Sequence, residues 1–123
     1  MPDEMRRAIE ALERLRVSLA GGEYDLHGLI GRTLEEAGLC PRHEVSIAPR
    51  CRIDFMVGRV GVEIKMGKPA RRALAAQVAR YARSPELDAL IVVVERSANL
   101  PGEYMGKRIA VVGLNRLWGV ALA

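Results

Sequence analysis

Asp54 and Glu63 stand on either side of the dipeptide Gly58-Arg59, and Lys65 follows Glu63 with one residue between them. Two acids and an amine so spaced can hold a divalent cation and act on a phosphodiester. Val57 and Val60 bracket Gly58-Arg59, and a two-residue loop with Gly first is the mark of a type II′ hairpin turn. Counting outward from a Val57/Val60 pair, Met56 faces Gly61, Phe55 faces Val62, Asp54 faces Glu63, Ile53 faces Ile64 and Arg52 faces Lys65. Strand alternation then predicts Ile53, Phe55, Val57, Val60, Val62 and Ile64 on one apolar face, with Arg52, Asp54, Glu63 and Lys65 together on the other.

Facing residues of an antiparallel ladder have Cα atoms about 4.5 to 5.5 Å apart, and like charges at that separation destabilise the pair. Asp54 and Glu63 so placed require a cation between them. A hard divalent ion with oxygen ligands suits two converging carboxylates, Mg²⁺ first and Mn²⁺ in its place. The same spacing is open to a plainer reading, in which Arg52 and Lys65 neutralise the acids within a solvated surface network.

Arg52-Ile53-Asp54-Phe55 followed by Val62-Glu63-Ile64-Lys65 resembles the PD-(D/E)XK nuclease superfamily, and the likeness in element order extends over residues 23–94. The resemblance implies a restriction-endonuclease-like core and a Mg²⁺-dependent deoxyribonuclease. Asp54 and Glu63 would bind the metal with the backbone carbonyl of Ile64, and Lys65 would assist the attacking water. DNA rather than RNA is the substrate the family implies, with structure-directed or nonspecific cutting. Glu23, on the preceding helix, matches a recurring extra site residue, and Glu44 resembles another acid found near the first strand. For Glu23 a second reading stays open, since an acid in a first helical turn is favoured by the helix dipole. Gln77 and Tyr81, one helical turn apart, are similar to a Gln-x-x-x-Tyr pair of recombination-type exonucleases. They also fall on the apolar stripe of Leu74, Val78 and Ala82, so packing is open beside function. Ile53 stands where the family's literal signature has Pro, and the cysteine cluster of its iron–sulfur members is missing.

Around the hairpin the pattern predicts an α/β domain with a mixed central sheet flanked by helices. Met5, Ala8, Ile9, Leu12, Leu15 and Leu19 recur at helical spacing and predict an amphipathic helix over residues 3–20, ended by Gly21-Gly22. A second helix is expected over 23–37, with Leu26, Ile30 and Leu34 on one stripe and Gly38 as its cap. Strands follow over 44–48, 52–57 and 60–66, then a helix opened by Pro69 and reaching residue 84. The run Ile91-Val92-Val93-Val94 predicts a strand over 89–95 that is buried on both faces. Residues 96–107 read as a loop, and strands over 108–114 and 118–122 complete the order α-α-β-β-β-α-β-β(-β).

The 123 residues, half of them hydrophobic, suit one domain. A net charge of +4 and a pI of 9.5 suit a polyanionic partner, with Arg52, Lys68, Arg71, Arg72 and Arg80, beside Gln77 and Tyr81, as candidate nucleic-acid contacts. Two cysteines, Cys40 and Cys51, exclude a four-thiolate metal site and are expected to be structural. No uninterrupted apolar stretch marks a signal or a membrane span near residues 1–16, so a cytoplasmic protein without membrane partner or organic cofactor is expected. Two other functions stay open: a DNA-binding subunit of the same fold that does not cut, and an interaction protein built on the first helix, which could also form a homodimer.

Overall fold

The computed structural model describes residues 3–15, 22–67 and 70–114, with side chains from residue 26 onward in the second helix. Helix α1 (Asp3–Glu13) opens with Asp3 and Glu4, whose charges complement the positive end of the helix dipole, and buries Met5, Ala8, Ala11 and Leu12. It stops well short of the expected residue 20. The N–H groups of Arg14 and Leu15 turn back to the carbonyls of Ala11 and Leu12, tightening the last turn into i→i−3 bonds that end the helix. Residues 16–20 lie outside the described residues.

Helix α2 (Gly22–Glu36) ends as its glycine demands. Gly38 adopts φ 84°, the Gly38 N–H bonds the Glu35 carbonyl at 2.9 Å, and the Leu39 N–H bonds the Leu34 carbonyl at 3.1 Å. These two bonds form a Schellman cap, which satisfies the last carbonyls and releases the chain toward the sheet.

Strands β1 (Pro41–Ala48), β2 (Cys51–Val57) and β3 (Val60–Lys65) form an antiparallel meander. Helix α3 (Arg71–Ala82) then crosses over to β4 (Ala89–Val94), which lies parallel to β3. Strand β6 (Lys107–Gly113) adds in parallel to β4, and the two-residue β5 (Glu103–Tyr104) pairs antiparallel with β6. The spatial order is β1-β2-β3-β4-β6-β5, a mixed six-stranded sheet of the expected α/β class. One detail differs from the sequence pattern: the expected loop 96–107 contains β5, turned back by Met105 and Gly106 with φ 53° and 78°. The strand expected at 118–122 lies outside the described residues.

The sheet separates two cores. On one side α1 and α2 pack Met5, Leu12, Ile30 and Leu34 against Phe55, Val62, Ile64, Ile91 and Val93. On the other, α3 packs Leu74, Val78 and Tyr81 against Ile53, Met56, Leu90, Val92 and Val94. Every residue of β4 is buried and alternate residues feed the two cores, as its continuous apolar run requires. No described helix is long and apolar enough to cross a membrane.

Candidate functional site

The β2–β3 turn is of the kind its residues dictate. Gly58 has φ 61° while Arg59 stays out of the left-handed region, and a positive φ at the first loop position alone is the requirement of type II′. The turn is tethered to the segment before β4: the Asp88 N–H donates to the Arg59 carbonyl at 2.7 Å, and Arg59 Nε donates to Asp88 Oδ2 at 2.9 Å. The register follows the count from the turn, with Val57 opposite Val60, Met56 opposite Gly61 and Phe55 opposite Val62.

At Asp54 and Glu63 the regular ladder gives way to side chains. The Asp54 N–H donates to Glu63 Oε1 at 3.2 Å, and the Ile64 N–H donates to Asp54 Oδ2 at 2.8 Å. Each acid thus grips the backbone of the opposite strand. Glu63 belongs to the α3 side of the sheet, because Val60, Val62 and Ile64 alternate into the opposite core.

Two expectations about this hairpin need correction. Ile53 does not join Phe55 and Val57; it lies in the α3 core with Met56, Leu87 and Leu90. The alternation breaks at Asp54, across the β1–β2 register from Glu44, whose φ of 52° interrupts the extended path. Gly61 supplies the space, since a Cβ there would come within 2.5 Å of Ile53 Cδ1 and of Leu87 Cδ1. Arg52 is the second correction. With Cys51 and Ile53 both in the α3 core, its side chain is exposed, and no ion pair joins it to Asp54 or Glu63 among the described residues. The polar quartet is therefore a trio of Asp54, Glu63 and Lys65.

Glu63 is 5% exposed, on the side of the sheet where α3 packs. Its Oε2 lies 3.3 Å from Lys65 Nζ and accepts a hydrogen bond from Gln77 Nε2 at 3.2 Å. Gln77 Nε2 also donates to Tyr81 Oη at 2.8 Å, and the Tyr81 hydroxyl donates to the Arg52 carbonyl at 3.2 Å. Gln77 and Tyr81 thus tie α3 to both strands of the hairpin. Tyr81 is also buried in the α3 core, as the packing reading of this pair expects. Sequence pattern carries no signal for the Arg52 carbonyl as the anchor of that network, because a backbone acceptor has no residue type.

Burial holds the Glu63 carboxyl above the usual glutamate range, and the neighbouring negative charge of Asp54 pushes it further up, with Lys65 opposing. The Tyr81 phenol is also pushed up, first by burial and then by the charge of Glu63, so it stays a neutral hydrogen-bonding group. Burial raises the Cys51 thiol as well. Cys51 is a core residue, whereas Cys40 is exposed and packs into neither core.

A divalent cation fits this donor set. Two carboxylates on facing strands, one of them desolvated and repelled by the other, gain from positive charge placed between them. Asp54 Oδ1 accepts no hydrogen bond among the described residues. No group of three or more His, Cys, Asp or Glu side chains could hold a metal among the described residues. The donors on hand are Asp54, Glu63 and the main chain at Ile64, a set suited to an ion that keeps several waters.

Glu44 is exposed on β1. The side chain of Glu23, at the start of α2, and the whole of Lys68 lie outside the described residues. Arg71, Arg72 and Arg80 are exposed along α3, on the same side of the sheet as Glu63. On the opposite side, His43 stacks on Phe55 with ring centroids 4.8 Å apart, and His27 meets His43 edge-on at 6.1 Å. No protein-family model, curated protein or solved structure matches the chain.

Proposed function

We propose that this chain is a divalent-metal-dependent nuclease with a restriction-endonuclease-like core, hydrolysing phosphodiester bonds of DNA at Asp54, Glu63 and Lys65. The observation that carries the reading is the buried Glu63 carboxylate, held beside Asp54 and 3.3 Å from the Lys65 ammonium on a single hairpin. A structural ion pair does not need a second acid against it, and its desolvation is a cost unless the site serves chemistry.

Asp54 and Glu63 would hold Mg²⁺ together with the Ile64 carbonyl. When bound, such an ion polarises a phosphate oxygen and acidifies a coordinated water. Lys65, partly exposed, orients the attacking water and offsets negative charge that develops as the P–O ester bond breaks. Gln77 fixes the Glu63 carboxylate by its hydrogen bond, and Tyr81 fixes Gln77 in turn. The exposed arginines 71, 72 and 80 would position phosphates without reading sequence.

The test is cleavage of labelled single-stranded, duplex, flapped and four-way-junction DNA by purified protein in Mg²⁺ or Mn²⁺. Metal-dependent cutting that disappears in Lys65→Ala supports the reading. Cutting that survives Lys65→Ala removes it. DNA binding with no cutting under any of these conditions replaces it with the noncleaving subunit.

A further inference from the structure

A cavity of ≈ 650 Å³ opens between the start of α3 and the segment that follows β4. Its floor is apolar, formed by Leu74, Ala98 and Leu100, and its rim carries Arg71, Arg96 and Asn99. One wall is braced by the Gly67 N–H, which donates to Glu95 Oε2 at 3.1 Å. Gly67 comes two residues after Lys65, and Glu95 directly follows Val94, the residue paired with Lys65 across β3 and β4. The cavity therefore begins just past the end of β3, the strand that carries Glu63 and Lys65. Leu74, Ala98 and Leu100 belong to or pack on the α3 core, so it lies on the same side of the sheet as Glu63.

The geometry points to a pocket for an unpaired nucleobase of a strand whose backbone crosses the Glu63 site. A base offers flat apolar faces and hydrogen-bonding edges, which suit an apolar floor beside a carboxamide and two guanidinium planes. The volume is that of a small-molecule site, large enough for a base with its sugar. Two arginines at the rim outweigh Glu95, so the charge favours a polyanion. A base inside a duplex is stacked and paired and cannot enter such a cavity, which makes the preferred substrate single-stranded or frayed beside the cut.

This inference rests on the nuclease reading for its substrate, but it is tested separately from cleavage. In EDTA, fluorescence anisotropy on the full chain compares a short labelled single strand, an abasic strand of equal length and charge, and a duplex. The base-bearing strand is expected to bind about tenfold more tightly than the abasic one or better. Ala98→Trp fills the cavity and should bring the base-bearing strand down to the abasic level, leaving abasic binding unchanged. Arg96→Lys, at an exposed position, keeps the charge but gives up the planar face, so it should narrow the same gap even if the tryptophan variant fails to fold. Equal binding of the two strands by the unaltered protein, or a preference that survives both substitutions, overturns the pocket. Lys65-dependent cleavage without any base preference refutes the pocket alone, whereas base preference without metal-dependent cleavage refutes the nuclease alone.

Discussion

Lys65 Nζ lies 3.3 Å from Glu63 Oε2, joining a side chain that is 30% exposed to one that is almost wholly buried. The pair spans the boundary between core and solvent, which places an ammonium where a phosphate can approach. Lys65→Ala should lower metal-dependent cleavage by roughly 10² to 10³-fold, as removal of a group that stabilises transition-state charge does. Far-UV circular dichroism should be unchanged. Single-turnover cleavage within tenfold of the unaltered protein would show that Lys65 only balances charge.

The raised Glu63 carboxyl makes a prediction about pH. The folded chain holds that proton more tightly than the unfolded chain, so the associated stability is complete below the ordinary glutamate value and is lost as pH rises through the folded one. Glu63→Gln imitates the protonated state. Without metal, its Tm should match the unaltered protein near about pH 4 and exceed it increasingly toward neutral pH. A Tm difference that stays flat across that range, or that grows on acidification, contradicts the assignment.

Asp54→Asn removes the charge that repels Glu63 but keeps an oxygen to accept the Ile64 N–H. The metal-free variant should be as stable as the original or slightly more so. Added Mg²⁺ should raise the Tm of the original chain, by an amount that grows with pH because the ion favours the ionised acid, and should leave the variant unmoved. Equal Mg²⁺ shifts in the two proteins would place the ion elsewhere.

Tyr81→Phe takes away both the donor to the Arg52 carbonyl and the acceptor for Gln77. The cost should be on the order of 1 kcal/mol, because the part-buried Arg52 carbonyl and the Gln77 amide both lose a partner. Gln77→Ala removes a donor from Glu63, and the double variant should lose less than the sum of the two, since one chain of bonds is broken twice. Urea denaturation of the four proteins measures the coupling; strict additivity would mean the groups act independently.

Gly61→Ala should destabilise the chain by roughly 1 to 3 kcal/mol, the usual cost of overpacking. The added methyl meets Ile53 and Leu87, whose displacement would shift β2 against β3 where Asp54 and Glu63 hold each other's strands. Thermal denaturation and cleavage should suffer together. A stable variant with normal cleavage would mean that these side chains reorient without cost.

Much of this arrangement is legible from residue types. Gly58-Arg59 specifies a turn, the turn specifies a register, and the register brings Asp54 and Glu63 to facing strands. The run 91–94 similarly announces a strand buried on both sides. Strict alternation misplaces Ile53 because it assumes an extended partner, and Glu44 leaves that conformation. Strand β5 has no sequence signature because both residues of its turn, Met105 and Gly106, have positive φ, a turn geometry that Asn-Gly or Asp-Gly normally signals and Met does not. The hydrogen-bond chain from Glu63 to the Arg52 carbonyl depends on where α3 docks, which no local pattern encodes.

The left-handed Glu44 and the register shift between Ser46 and Ala48 have a consequence beyond the hairpin. Among the described residues β1 pairs only with β2, so its outer side presents unpaired amide and carbonyl groups that could template another chain. A kink and a bulge within eight residues spoil the flat, regular spacing that such templating needs. Together with the charges of Arg42 and Glu44, they make this border of the sheet a poor seed for fibrils.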